Sequence, residues 1–123
     1  MDHEDAAGGR SMAASVVALS AWIDGHPANA VRDVEAQLWG RIAKIQEEAG
    51  EVVSALIGAT GQNPRKGVTH GMDDVAKELL DVAVTALTAY EHVTGNRGTC
   101  QQALADHVEA LVRRAGLTPP TSL

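Results

Sequence analysis

Two acidic signatures stand out in this chain: Glu47-Glu48-Ala49-Gly50-Glu51 and, further along, Lys77-Glu78-Leu79-Leu80-Asp81. Each lies in a stretch whose pattern is helical. A helix turns about 100° per residue, so Glu48 and Glu51 stand about 60° apart on one face, Glu47 joins Glu51 from the adjacent turn, and Glu78 and Asp81 repeat that spacing. If the two helices face each other, five carboxylates converge. Such a cluster repels itself and raises its own pKa values unless a cation neutralises it. Hard oxygen ligands with no Cys or His nearby suit Mg²⁺, with Mn²⁺ as a substitute.

The elements that must position these residues follow from apolar periodicity. Met12, Val16, Leu19 and Ile23 recur at helical steps from Ser11 to about Asp24, and Gly25-His26-Pro27 ends that first helix. Asn29 is the expected N-cap of a long second helix reaching about Gly58, with Val31, Val34, Leu38, Ile42, Ile45, Val52, Leu56 and Ile57 as its buried stripe. Gly40 and Gly50 inside it suggest a close approach of backbone or ligand. Residues from Gly58 to Gly71 form a loop rich in turn formers and carrying Arg65-Lys66. A third helix starts near Asp73-Asp74 and runs to Gly95, and a fourth, capped by Thr99, ends at Gly116. The expected fold is all-α: a four-helix bundle-like protomer with a long second helix. One domain spans 11–116, between a disordered leader over 1–10 and a C-terminal tail over 117–123.

With 123 residues, 45% hydrophobic and 21% charged, the chain has the composition of a folded soluble domain. Aromatics are confined to Trp22, Trp39 and Tyr90, so Ala, Val, Leu and Ile must build closely packed helices. A net charge of −6 argues against a nucleic-acid polymer or an anionic membrane as partner. No run approaches the roughly 18 apolar residues of a membrane span, and the acidic N-terminus is unlike a secretory signal. The lone Cys100 can form no internal disulfide, so a reducing cytoplasm is expected. His26, His70, His92 and His107 are scattered and lack the Glu-x-x-His pattern of di-iron bundles, so they read as structural or surface residues.

Glu-Glu-x-x-Glu on one helix followed by Glu-x-x-Asp on the next resembles the MazG-like nucleotide pyrophosphohydrolases of the all-α NTP pyrophosphatase superfamily. The likeness covers roughly Trp39 to Tyr90, including the loop from Thr60 to Gly67. It implies a MazG-like bundle that assembles as a homodimer or homotetramer and hydrolyses a nucleoside triphosphate to the monophosphate and pyrophosphate, clearing non-standard or surplus nucleotides. The matched positions imply that Glu48, Glu51, Glu78 and Asp81 hold Mg²⁺, while Glu47 orients or deprotonates the attacking water. Lys44, Lys77, Arg65 and Lys66 are the expected phosphate contacts, and Trp39 is the expected stacking surface for a base. Larger relatives carry a basic, amide-rich segment after the second motif, for which this chain offers only Asn96-Arg97 and Arg113-Arg114. Two other readings stand beside this one: a phosphoribosyl-ATP pyrophosphohydrolase, and a helical oligomer that binds nucleotide or metal in a regulatory role without turnover.

Overall fold

The computed structural model describes residues 11–123; the leader expected over 1–10 lies outside the described residues. Ser11 opens the first helix, α1 (Met12–Gly25), by accepting a hydrogen bond from the Ala14 N–H at 3.0 Å. The chain then makes a turn that the sequence reading did not resolve, the short helix α2 (Pro27–Ala30). Pro27 occupies its first position, where the missing N–H costs nothing, and His26 Nδ1 accepts from the Ala28 N–H at 3.2 Å.

Asn29 therefore lies inside α2 and does not cap the long helix. That helix, α3 (Val34–Thr60), begins at Asp33, whose carboxylate accepts from the Ala36 N–H at 2.7 Å. Its 27 residues span about 40 Å, and Gly61, with φ of 65°, closes it in the left-handed conformation that glycine adopts without strain. The partner helix α4 (Met72–Thr94) starts at Gly71, whose N–H donates to the Asp74 carboxylate at 2.9 Å, and ends at Gly95 with φ of 91°. The last helix is α5 (Cys100–Arg114).

Helices α3 and α4 form the dominant pair, α1 packs across α4, and α5 touches α1 and α4. Arg41 meets Thr88, Glu48 meets Asp81 and Gly58 meets His70, so each step forward on α3 is a step back on α4 and the two run antiparallel. The loop between them folds onto the end of α3, with the Gly58 carbonyl accepting from the Thr69 and His70 N–H groups at 2.9 and 3.3 Å. A Cβ at Gly58 would collide with the His70 ring and the Thr69 hydroxyl. A close approach of backbone is found at Gly58; at Gly40 and Gly50 no other element among the described residues comes within 4 Å of a built Cβ.

The expected stripe on α3 is largely left uncovered by the described residues of the chain. Ile45 and Val52 are half-buried, whereas Leu38, Ile42, Leu56 and Ile57 are exposed, and Val31 and Val34 exceed 80% exposure. The reason is geometric: α4 shields one side of α3, and the buried positions there are Arg41, Ala55 and Gly58. Among the described residues the buried apolar side chains, Ala13, Val16, Ala55, Val75, Ala89 and Cys100, are small.

α5 is held by a side chain from another helix. Thr99 sits at its N-cap position but makes no capping hydrogen bond with its hydroxyl. The carboxylate of Glu91, fully buried on α4, accepts from the Gly98 and Cys100 N–H groups at 2.9 and 2.8 Å. Burial works to raise the pKa of this acid, and the backbone donors overcome it and hold the value below the ordinary range. Beneath it the Cys100 thiol, 1% exposed, is pushed up by burial and by the adjacent carboxylate, which makes it a poor nucleophile.

Candidate metal and nucleotide site

The antiparallel register brings the two acidic signatures together in part. One carboxylate oxygen each from Glu48, Glu78 and Asp81 lie within 4.8 Å of one another. Glu48 and Glu78 are half-buried and Asp81 is exposed. The Glu78 carboxyl is raised above its ordinary value by partial burial first, then by the charges of Asp81, Glu51 and Glu48. Glu51 thus bears on the triad electrostatically without joining it. Glu47 is also outside, turned to Lys44, whose Nζ lies 3.0 Å from Glu47 Oε2 and 3.6 Å from Glu48 Oε1. The hydrogen bond to Glu47 raises the Lys44 pKa, with the Glu48 charge adding to it. Of the five carboxylates expected to converge, three do.

The donor set suits a hard divalent cation. Three carboxylate oxygens at this separation can bind one ion and leave positions for water or phosphate, and a dication would offset the neighbouring negative charges that, after burial, raise Glu78. The adjoining Leu79 and Leu80 are 53% and 67% exposed.

A cleft of about 600 Å³ opens beside the triad between α1, α2, α3 and α4, within the usual range for small-molecule sites. Glu48, Glu78 and Asp81 are not in its lining, but two lining residues connect it to them. Lys44 lines it while contacting Glu48, and Thr85 lines it while its hydroxyl donates to the Asp81 carbonyl at 2.7 Å. Gly40 also lines it, so the absent side chain leaves room there. The aromatic ring at the cleft is Trp22, 67% exposed and edge-on to His26 at 5.8 Å; Trp39, equally exposed, is not part of the lining. Arg65 and Lys66 sit in the loop after α3, at least nine residues or about 13 Å along the axis from Glu51. Lys66 lines a separate hollow with Asn63 and Ser54. Lys77 is exposed next to Glu78.

One wall of the cleft is a polar network that the sequence reading missed. Arg41, 7% exposed, donates to Asp24 Oδ1 at 2.8 Å and to the Ser20 carbonyl at 2.6 Å. His92 Nδ1 lies 2.9 Å from the same Asp24 oxygen, and Asn96 connects Asp24 to the Ser20 hydroxyl. The signal was present: Arg41 sits three residues after Leu38 and four before Ile45, a charge within an apolar stripe. Burial works to raise the pKa of Asp24, but the hydrogen bonds from His92 and Arg41 outweigh it and lower the value.

A folded-state pKa below the unfolded one stabilises the protein above the ordinary carboxylate value of 3.8, and that contribution is lost as pH falls through the folded value. Asp24→Ala is expected to cost about 2–3 kcal/mol at neutral pH, because it strands the Arg41 guanidinium. The difference in thermal midpoint between wild type and Asp24→Asn should shrink as pH is lowered below 3.8; a difference that grows there would contradict the assignment.

Among the described residues no helix is long and apolar enough to cross a membrane. Compared with protein-family models, curated proteins and solved structures, the chain matches none of them.

Proposed function

We propose that this protein is a Mg²⁺-dependent nucleoside triphosphate pyrophosphohydrolase, converting an NTP or dNTP and water to the monophosphate and pyrophosphate. The observation that carries the reading is the meeting of both acidic signatures in one triad, Glu48, Glu78 and Asp81, at the rim of a nucleoside-sized cleft. The resemblance to MazG-like enzymes in the motif spacing supports the same activity.

Glu48, Glu78 and Asp81 would hold the ion, and Glu51, whose charge acts on Glu78, is assigned as a further ligand. A bound Mg²⁺ would supply neutralisation of phosphate charge and Lewis-acid polarisation of a phosphoryl oxygen. Glu47, exposed at the edge, is assigned to orient a water and accept its proton. As the water oxygen bonds to the α-phosphorus, the bond to the bridging oxygen breaks and pyrophosphate departs with the electron pair. Lys44 is the cation closest to the developing charge, because it already spans the cleft and the triad. Lys77 neighbours the triad on α4, whereas Arg65 and Lys66 would reach the phosphates only through a change of the loop.

We also assign a homodimer or homotetramer to the active form. The exposed Leu38, Ile42, Val53 and Leu56 on α3, with Leu79, Leu80 and Val84 on α4, leave apolar faces that a second copy would cover. Light scattering should give a mass of two or four chains; a monomer at micromolar concentration would contradict this.

A panel of standard and modified NTPs and dNTPs, assayed with Mg²⁺ for pyrophosphate release, tests the activity. Turnover of at least one substrate, abolished by chelation, is expected. In thermal melts Mg²⁺ should raise the midpoint of the wild type, since a ligand bound by the native state alone stabilises it. Absence of turnover across the panel together with an unchanged melt would overturn the proposal.

A further inference from the structure

Two amide side chains on the cleft have their nitrogens committed, while their oxygens take no hydrogen bond among the described residues. Gln37 Nε2 donates to the Asn29 carbonyl at 2.9 Å and to the Arg32 carbonyl at 3.2 Å. Asn29 Nδ2 donates to the Ile23 carbonyl at 2.9 Å. Backbone carbonyls can only accept, so these partners fix which end of each amide is nitrogen. Gln37 Oε1 and Asn29 Oδ1 are then the groups left to meet a ligand, and both residues line the cleft. Asp24, the carboxylate on the wall, already receives Arg41, His92 and Asn96. Trp22, on the same cleft and 67% exposed, offers a flat apolar face.

We infer that this cleft receives the nucleobase and selects bases bearing an exocyclic amino group, with Gln37 and Asn29 accepting its hydrogens and Trp22 stacking on the ring. The inference rests on reading the adjoining triad as a nucleotide-phosphate site, since Lys44 and Thr85 link the two. A base with an amino group presents N–H donors to these oxygens. The same base with a carbonyl in that place presents an acceptor, which the fixed amides cannot turn to satisfy. Sites built to hydrogen-bond one substituent discriminate strongly against the analogue that lacks it, because the partner group is left unpaired.

The test uses two pairs of mononucleotides that differ by the replacement of an amino group with a carbonyl oxygen: CMP against UMP, and AMP against IMP. Titration calorimetry on the full chain in EDTA keeps the readout independent of hydrolysis and of metal. CMP and AMP are expected to bind at least about tenfold more tightly than UMP and IMP. Gln37→Leu should bring each pair within about threefold. Trp22→Ala, at a site too exposed to threaten folding, should weaken all amino nucleotides alike. Equal affinity within both pairs, no binding of any of the four at millimolar concentration, or a preference that survives Gln37→Leu would each overturn the inference. A failure of the pyrophosphohydrolase reading looks different: no triphosphate is hydrolysed, yet the preference among monophosphates stands.

Discussion

Glu48→Gln is expected to lower Mg²⁺-dependent pyrophosphate release by about a hundredfold or more while the helices stay folded. Glu48 is the one member of the triad contributed by α3, so it ties the two acidic signatures into a common site. The amide keeps the volume but removes a negative charge and leaves a weaker oxygen ligand. It also removes one of the charges that raise Glu78, so stability without metal should be unchanged or higher. The stabilisation that Mg²⁺ gives the wild type should vanish. These opposite effects on activity and on metal-free stability separate a ligand from a residue that merely supports the fold. Pyrophosphate release assayed beside circular dichroism melts checks both, and an activity within threefold of wild type would remove Glu48 from the site.

Glu91→Ala is expected to cost about 3–4 kcal/mol, the largest loss of stability among single changes considered. The side chain is fully buried, and its carboxylate takes the N–H groups of Gly98 and Cys100. Removing it orphans those donors at the start of α5 and leaves a cavity beside Cys100. Thr99 gives the helix start no second side-chain acceptor, because its hydroxyl makes no capping hydrogen bond. Glu91→Gln retains an acceptor but loses the charge assistance, so an intermediate loss is expected. Urea unfolding measures both, and a loss below about 1 kcal/mol for the alanine variant would contradict the capping role.

Much of the architecture was readable because it depends on local signals. The helical periodicities, the turn formers between Gly58 and Gly71, and the glycine at Gly95 mark α1, α3, α4 and α5 within a few residues, although α3 runs to Thr60, past the end expected at Gly58. The failures came where a better-placed side chain, near or far in sequence, took the expected partner's role. Asn29 looked like a cap, but Pro27 starts its own turn and Asp33 supplies the better-placed carboxylate. Thr99 looked like a cap, and a glutamate from the preceding helix took its place. Spacing alone put five acids on facing surfaces; side-chain direction admits Glu48, Glu78 and Asp81 and turns Glu47 toward Lys44.

The cleft was the least readable part, because three helices and a turn build it from residues without a common motif. Trp39 was favoured over Trp22 by its nearness to the Glu pair in sequence. Nine residues separate Trp39 from Glu48, which places them on opposite faces of the same helix. Arg41 and Glu91 carried a usable signal, each a charge set within an apolar stripe, which is where a buried polar partner should be sought.

Hydrolysis in ¹⁸O-labelled water, with Mg²⁺ and the most active triphosphate, follows the oxygen that attacks phosphorus. Attack beside the triad at the α-phosphorus predicts one ¹⁸O in the nucleoside monophosphate and none in the pyrophosphate. Label recovered in pyrophosphate or inorganic phosphate, or turnover indifferent to Mg²⁺ and to Glu48→Gln, would contradict the assignment of Glu48, Glu78 and Asp81 as the ion-holding centre of a pyrophosphohydrolase.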